Sequence, residues 1–307
     1  MIPLWSGSAN AWDCDEMGHM NVRVYSEKAI EGWGVFAHAI GMPHAFKDQT
    51  PSVLLPADQH IRFVAEALAG RPLQMTGCVE TVGESDCVLF QQIRHGDGRL
   101  CAAFRTRLVH STSDSGKPFP WSTRTRALLE SLVDTPPMDT LPRSFDPSRT
   151  GIPNEAATID LPNTLGVPVI GRGTIPRIHC DAHGRMMPQW FIGRISDSVP
   201  NLMHTWRAEV AKQAGGLRMG AAVVEYQLKY RSWPRAGDLF QVRSGLVSAN
   251  KKIQTLVHWV VDPVSGKACC TSEAAVLTFD LDTRKAITAS PDAVAQLEKL
   301  APKGLSL

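Results

Sequence analysis

The sequence predicts an α+β fold made of two tandem units, each an antiparallel sheet wrapped around one long central helix. Three observations carry this: an internal repeat, a single amphipathic helix near the start of each copy, and a run of strands after it. The repeat comes first, because it sets the frame for the rest. WDCDEMGHMNVRVY at 12–25 aligns with IHCDAHGRMMPQWF at 178–191, pairing Cys14-Asp15 with Cys180-Asp181 and Gly18 with Gly184 at an offset of 166. RFVAEALAGRPLQM (62–75) aligns with KYRSWPRAGDLFQV (229–242) at 167. HGDGRLC (95–101) aligns with VSGKAC (264–269), and WSTRTRALLESL (121–132) with ASPDAVAQLEKL (289–300), both at 168. Four matches in one order, drifting by two residues, define a duplicated unit of about 130 residues.

The elements follow in chain order. After the first motif, Tyr25, Ala29, Trp33, Phe36 and Ile40 form one apolar stripe on a helix, stopped by Gly41 and Pro43. Copy two repeats the stripe with Ile192, Ile195, Val199, Leu202 and Trp206, and Pro200 is expected to bend or interrupt that helix. Strands are expected at 59–66, 73–82, 86–95 and 99–111, then at 223–232, 239–248, 252–262 and 268–280. Ser122 and Ser290-Pro291 read as caps of a short closing helix in each copy. Between the copies, residues 136–172 hold seven prolines and no apolar period, so an extended connector is expected there. The domains are therefore 1–135 and 173–307, joined by 136–172.

Composition narrows the partners. A formal net charge of +2 gives no reason to expect nucleic acid or an anionic membrane. No run of about 18 uncharged apolar residues occurs, and residues 1–12 do not read as a signal peptide. Seven cysteines at irregular spacings, without a C-x-x-C pair, fit a reducing cytoplasm. Adjacent Cys269 and Cys270 read as structural residues on opposite faces of a strand.

The segment Asp15-Glu16-Met17-Gly18-His19-Met20-Asn21 lies just before the first long helix. A carboxylate there sits near the positive end of the helix dipole. Backbone N–H groups around Gly18 are expected to be free for an anion or a polarised carbonyl oxygen. Donors beside a carboxylate suit acyl transfer: the donors stabilise an oxyanion, and the carboxylate attacks or activates water. The plainer alternative makes Asp15 a cap and Gly18 a turn residue, with Asn21 capping the helix.

The pattern D-x-D-x-x-G-H-M-N followed by an aromatic-rich helix resembles the hotdog-fold thioesterases, of the 4-hydroxybenzoyl-CoA and acyl-carrier-protein groups. The duplication fits their tandem double-hotdog form. The resemblance covers both copies and excludes the connector and both ends. It implies hydrolysis of an acyl-CoA or acyl-carrier-protein thioester without a metal or organic cofactor. It also implies pairing of the two units as an internal pseudo-dimer, and a homodimer of such pseudo-dimers is compatible with it. By position, Asp15 matches the family's catalytic carboxylate, Gly18 the glycine at the helix start, His19 the histidine and Asn21 the asparagine, with Gly18 and Asn21 expected to bind substrate. Glu66 falls near the family's strand glutamate. Met17 departs, standing where plant-type enzymes have asparagine. In copy two Asp181 is kept as a further catalytic candidate, while Arg185 replaces His19, Met187 replaces Asn21 and Trp233 stands opposite Glu66. One complete site on copy one is expected, and a degenerate or differently tuned one at Asp181. The plainer alternatives make His19 a residue that only fixes the turn, Glu66 a solvated strand residue and Asp181 a relic cap.

Other constellations are weaker. His179 and His183 have a spacing that suits metal ligands on a helix, but the segment reads as strand and turn. Cys14 with His19 could form a thiol nucleophile, yet an extended segment points Cys14 away from Asp15. No P-loop, G-x-G-x-x-G or G-x-S-x-G occurs. Arg62, Arg71, Arg94 and Lys251-Lys252 could meet coenzyme A phosphates or be scattered surface charges. Trp33, Phe36, Phe63 and Phe90 could line an acyl channel or be core. Two other functions stay open: a non-catalytic acyl-thioester binder, and an enoyl-thioester hydratase or dehydratase on the same fold.

Overall fold

The computed structural model describes every residue except 214–218, 300, 303 and 305, and no side chains within 203–213. Contacts divide the chain into two compact units: Met1–Arg143 with Ile178–Trp190, and Ser144–Arg177 with Phe191–Leu307.

Unit 1 runs β1 (Ile2–Ser8), α1 (Val22–Ala39), β2 (Ser52–Phe63), β3 (Pro72–Val82), β4 (Asp86–His95), β5 (Leu100–Thr112) and α2 (Thr123–Ser131). The strands lie in the order β1-β3-β4-β5-β2, each pair antiparallel. The predicted stripe on α1 is the buried face: Tyr25, Ala29, Trp33, Phe36 and Ile40 are all at most 4% exposed. Two polar bonds fix the helix against the sheet in that apolar layer. Trp33 Nε1 donates to Gln91 Oε1 (2.9 Å), and Gln91 Nε2 donates to the Ala29 carbonyl (2.9 Å). Gly41, at φ +78°, ends the helix in the left-handed conformation that glycine adopts without a Cβ clash.

Unit 2 contains α3 (Asp160–Thr164), β6 (Val169–Thr174), most of α4 (Gln189–Gln213), β7 (Met219–Tyr230), β8 (Leu239–Ala249), β9 (Ile253–Val261), β10 (Ala268–Asp280) and α5 (Pro291–Lys299). Its strand order, β7-β10-β9-β8-β6, matches the plan of unit 1. Ile192, Ile195 and Leu202 face its core. Trp206, the last position of the expected stripe, and Leu300 in the last repeat match lie outside the described residues. Ser122 Oγ accepts the Thr125 N–H (3.1 Å) and Ser290 Oγ the Ala293 N–H (3.2 Å), so both closing helices carry the expected serine caps.

Three details differ from the sequence reading. Helix α4 is not interrupted at Pro200; Pro200 is on the exposed side, where water can serve the carbonyl left without its donor. Strand β2 begins at Ser52, earlier than expected, with Pro56 beside the register shift between Pro56 and Asp58. A bulge is where a strand tolerates a residue without an N–H. The connector is more than extended chain. Pro137 and Pro153 open short 3₁₀ turns, α3 follows, and β6 begins at Val169. Ala157 and Val167 are buried with Val257, Trp259, Val261 and Ala268. Such a chain of turns buries apolar side chains without the regular period that would show in the sequence.

Candidate active site

The first motif folds as a tight hairpin. Cys14 pairs with Met20, the Asp15 N–H donates to the His19 carbonyl (3.0 Å), and the Gly18 N–H donates to the Asp15 carbonyl (2.9 Å). Gly18 sits at φ +79° with open space around a Cβ position, so backbone conformation alone requires the glycine. The Met17 N–H donates to Asp15 Oδ1 (3.0 Å). The expectation of free donors around Gly18 is therefore corrected: the N–H groups of Met17 and Gly18 are both used within the turn. Asn21 caps α1, its Oδ1 accepting the Arg23 N–H (3.0 Å).

The turn brings three predicted residues together. The His19 ring lies between two carboxylates, with Nε2 at 3.6 Å from Asp15 Oδ2 and Nδ1 at 3.5 Å from Glu66 Oε1. Asp15 and His19 are 15% and 13% exposed, and Glu66 is 48% exposed. Both gaps are just longer than hydrogen bonds, and His19 Nδ1 is buried without a hydrogen-bond partner. A small rotation closes either gap; catalytic hydrogen bonds are often long until substrate binds. Asp15 is thus a partly sheltered carboxylate with one oxygen in the turn and the other facing an imidazole.

Glu66 owes its place to the loop after β2. The Val64 and Ala65 N–H groups donate to the Cys101 carbonyl (2.9 and 3.2 Å). Ala67 is fully buried; its N–H donates to the Tyr25 hydroxyl (3.0 Å), and its carbonyl accepts the Met20 N–H (2.8 Å). One residue thereby joins helix, loop and the Asp15–His19 turn. Burial holds the Tyr25 phenol far above its usual range, so it remains a hydroxyl. Sequence reading took Tyr25 for a stripe residue and missed this role.

Copy two keeps the turn and changes its chemistry. The Asp181 N–H donates to the Arg185 carbonyl (2.7 Å), the Gly184 N–H to the Asp181 carbonyl (3.0 Å), and Gly184 sits at φ +75°. The side chain, however, is tied down. Asp181 Oδ1 accepts the His183 and Arg185 N–H groups (2.8 and 2.9 Å), and Oδ2 meets Arg185 Nε (3.3 Å). Arg185 is 6% exposed there. A carboxylate with both oxygens engaged, one by a guanidinium, has little capacity left to attack or to take a proton. The i,i+4 spacing of Asp181 and Arg185 was the signal for this pair. Arg231 and Ser232 donate N–H bonds to the Cys269 carbonyl, as residues 64 and 65 do to Cys101, which places Trp233 where copy one has Glu66.

Burial and the charges of Asp13 and Asp15 push the Cys14 thiol up, and its Sγ donates to the Asn10 carbonyl (3.3 Å), so a thiolate is disfavoured. His179 stacks on Trp190, whose ring also lies under the Arg23 guanidinium at 4.5 Å. Among the described residues no group of three or more His, Cys, Asp or Glu side chains is arranged to hold a metal. Arg62 and Arg94 hold residues 139–141 through the Asp139 and Leu141 carbonyls and the Asp139 carboxylate, which gives both a structural task. Trp33, Phe36 and Phe90 are core. A cavity of about 400 Å³ in unit 2 lies among Ile170, Arg172, Arg194, Asn201 and Phe240; no motif residue lines it. No described helix is long and apolar enough to cross a membrane.

A family model described as the Thioesterase-like superfamily matches residues 9–129 and again residues 179–297. Among solved structures, an acyl-ACP thioesterase from Bacteroides thetaiotaomicron VPI-5482 superposes with a TM-score of 0.65 at 14% identity, over 89% of this chain and 96% of its own. The 12:0-ACP thioesterase from Umbellularia californica gives a TM-score of 0.65 at 8% identity, over 90% of this chain and 93% of its own. At such identities the likeness is one of fold. No curated protein matches the chain in sequence.

Proposed function

The chain belongs to the Thioesterase-like superfamily, as a tandem double-hotdog thioester hydrolase, and we propose that its working site is the Asp15–His19–Glu66 group of copy one. The observation that carries this is the contrast between two related turns: Asp15 faces an imidazole, whereas Asp181 is closed by Arg185. Asp15 acts as nucleophile or as the base that takes a proton from water. In the first case it attacks the thioester carbonyl carbon, the C–S bond breaks with loss of thiolate, and water hydrolyses the resulting anhydride. In the second, water attacks directly while its proton passes to Asp15. His19 orients Asp15 or the water and passes the proton to the leaving sulfur, with Glu66 on its other ring nitrogen. Asp181 is a support of its own turn in this reading. Gly18 sets the turn, and Asn21 sets the helix start.

The substrate is an acyl thioester carried by coenzyme A or by acyl carrier protein, and the two copies are expected to act as one pseudo-dimer within the cytoplasm. The names of the two solved neighbours support a protein carrier as a first choice for assay. Thiol release from acyl-CoAs of graded chain length, aromatic acyl-CoAs and acyl-carrier proteins tests the reading. Asp15→Asn is expected to lower turnover by about 10²–10⁴-fold. Equal turnover in the variant would remove Asp15 from the mechanism.

A further inference from the structure

We propose that the Tyr25 hydroxyl is a positioning group for this site, holding the loop that presents Glu66 to His19. The inference rests on the assignment of Asp15, His19 and Glu66 as one working group. Tyr25 touches none of the reacting atoms. It acts through Ala67, whose N–H belongs to the peptide that follows Glu66 and donates to the phenol oxygen at 3.0 Å. The Tyr25 ring is itself held, edge-on to Phe63 with centroids 5.2 Å apart, and its oxygen lies 3.7 Å from Cys101 Sγ. Cys101 Sγ in turn donates to the Ala65 carbonyl (3.2 Å). The peptide groups on both sides of Glu66 are thus referred back to α1 and β5.

The second copy supplies an internal control. At the position of Tyr25 it has Phe191, which has no hydroxyl. At the position of Ala67 it has Pro234, which has no N–H. Donor and acceptor of this one hydrogen bond are both gone, and they are gone in the copy where Glu66 and His19 have become Trp233 and Arg185. Phe191 instead packs edge-on against Trp233 and Tyr230, at 5.9 and 5.5 Å between centroids. The surrounding loop is kept, since the N–H groups of Arg231 and Ser232 still reach the Cys269 carbonyl. A bond needed for the fold alone would have no reason to vanish with the imidazole and the carboxylate; a bond that aims the carboxylate would.

The test uses Tyr25→Phe, which keeps the ring and removes the oxygen, in the full-length chain. The imidazole ¹⁵N resonances of His19, identified by their loss in His19→Gln, report the contact with Glu66 without any substrate. Glu66→Gln is expected to move them, and Tyr25→Phe to move them in the same direction. In thiol-release assays Tyr25→Phe is expected to lower kcat about tenfold with KM within about twofold, and to add under twofold to the loss in Glu66→Gln. Unmoved His19 resonances, or losses that multiply in the double variant, overturn the proposal. If Tyr25→Phe does not fold, Ala67→Pro removes the same bond from its donor side, in a loop that accommodates proline in copy two. Should the wild type hydrolyse no thioester, the catalytic reading fails while the resonance measurement still decides the role of Tyr25.

Discussion

Two aspartates in equivalent turns meet different side chains. Asp15 keeps an oxygen facing His19, while Asp181 gives both of its oxygens to Arg185 and the turn backbone. Asp181→Asn is therefore expected to leave thiol release within about twofold of wild type, since the lost pairing is local to that turn. Asn21 offers a second check at this scale. Its side-chain oxygen is used on the Arg23 N–H, so Asn21→Ala is expected to cost about 1 kcal/mol in denaturant unfolding. Asn21→Ser, which can still cap, is expected to keep both stability and turnover; loss of turnover at full stability would return Asn21 to substrate binding. Asp15 and His19 were legible because both lie within one short motif. Glu66 was legible only through the family resemblance, because it lies 47 positions beyond His19. Tyr25 was hidden, because a tyrosine on an apolar stripe looks like core until the partner of its oxygen is known.

Single elements followed their local signals closely. The stripe on α1, the glycine that ends it and the serine caps of α2 and α5 were all written in spacings of three and four residues. Gly18→Ala forces a side chain into a left-handed conformation, and it is expected to cost about 1 kcal/mol of stability while loosening the hairpin that carries Asp15 and His19. Proline misled where its context was tertiary. Pro56 lies inside β2 beside a bulge, Pro200 lies inside α4 on its exposed side, and the prolines of the connector open turns that pack. The missing N–H falls at a register shift in β2, on the water-exposed side of α4 and at the start of the connector turns, which a linear reading cannot see. The free donors expected around Gly18 failed for a related reason: a four-residue turn consumes its own N–H groups.

The duplicated chain is one plan with two interiors. Where unit 1 has Gln91 beneath α1, unit 2 has His258 at the corresponding register, fully buried with Nδ1 at 2.7 Å from Ser244 Oγ. Burial lowers that histidine from its ordinary 6.5 to about 3. The unfolded chain therefore binds a proton below pH 6.5 that the folded chain refuses. The stability from the neutral ring is present above pH 6.5 and declines as pH falls toward 3, by up to about 1.4 kcal/mol per pH unit. Denaturant unfolding at pH 7 and pH 5 reads this, and His258→Gln is expected to flatten the decline. The buried thiols set the opposite limb. Cys87 is pushed up to about 12 and Cys101 and Cys269 to about 11 by burial, so their contribution is present below the unfolded thiol value and lost as pH rises toward those values. The central claim is that one of the two copies does the chemistry. Single-turnover thiol release from a common acyl thioester, compared between Asp15→Asn and Asp181→Asn, tests it most directly. The reaction is expected to be lost in Asp15→Asn and to run near the wild-type rate in Asp181→Asn; comparable losses in both variants would assign the chemistry to both copies.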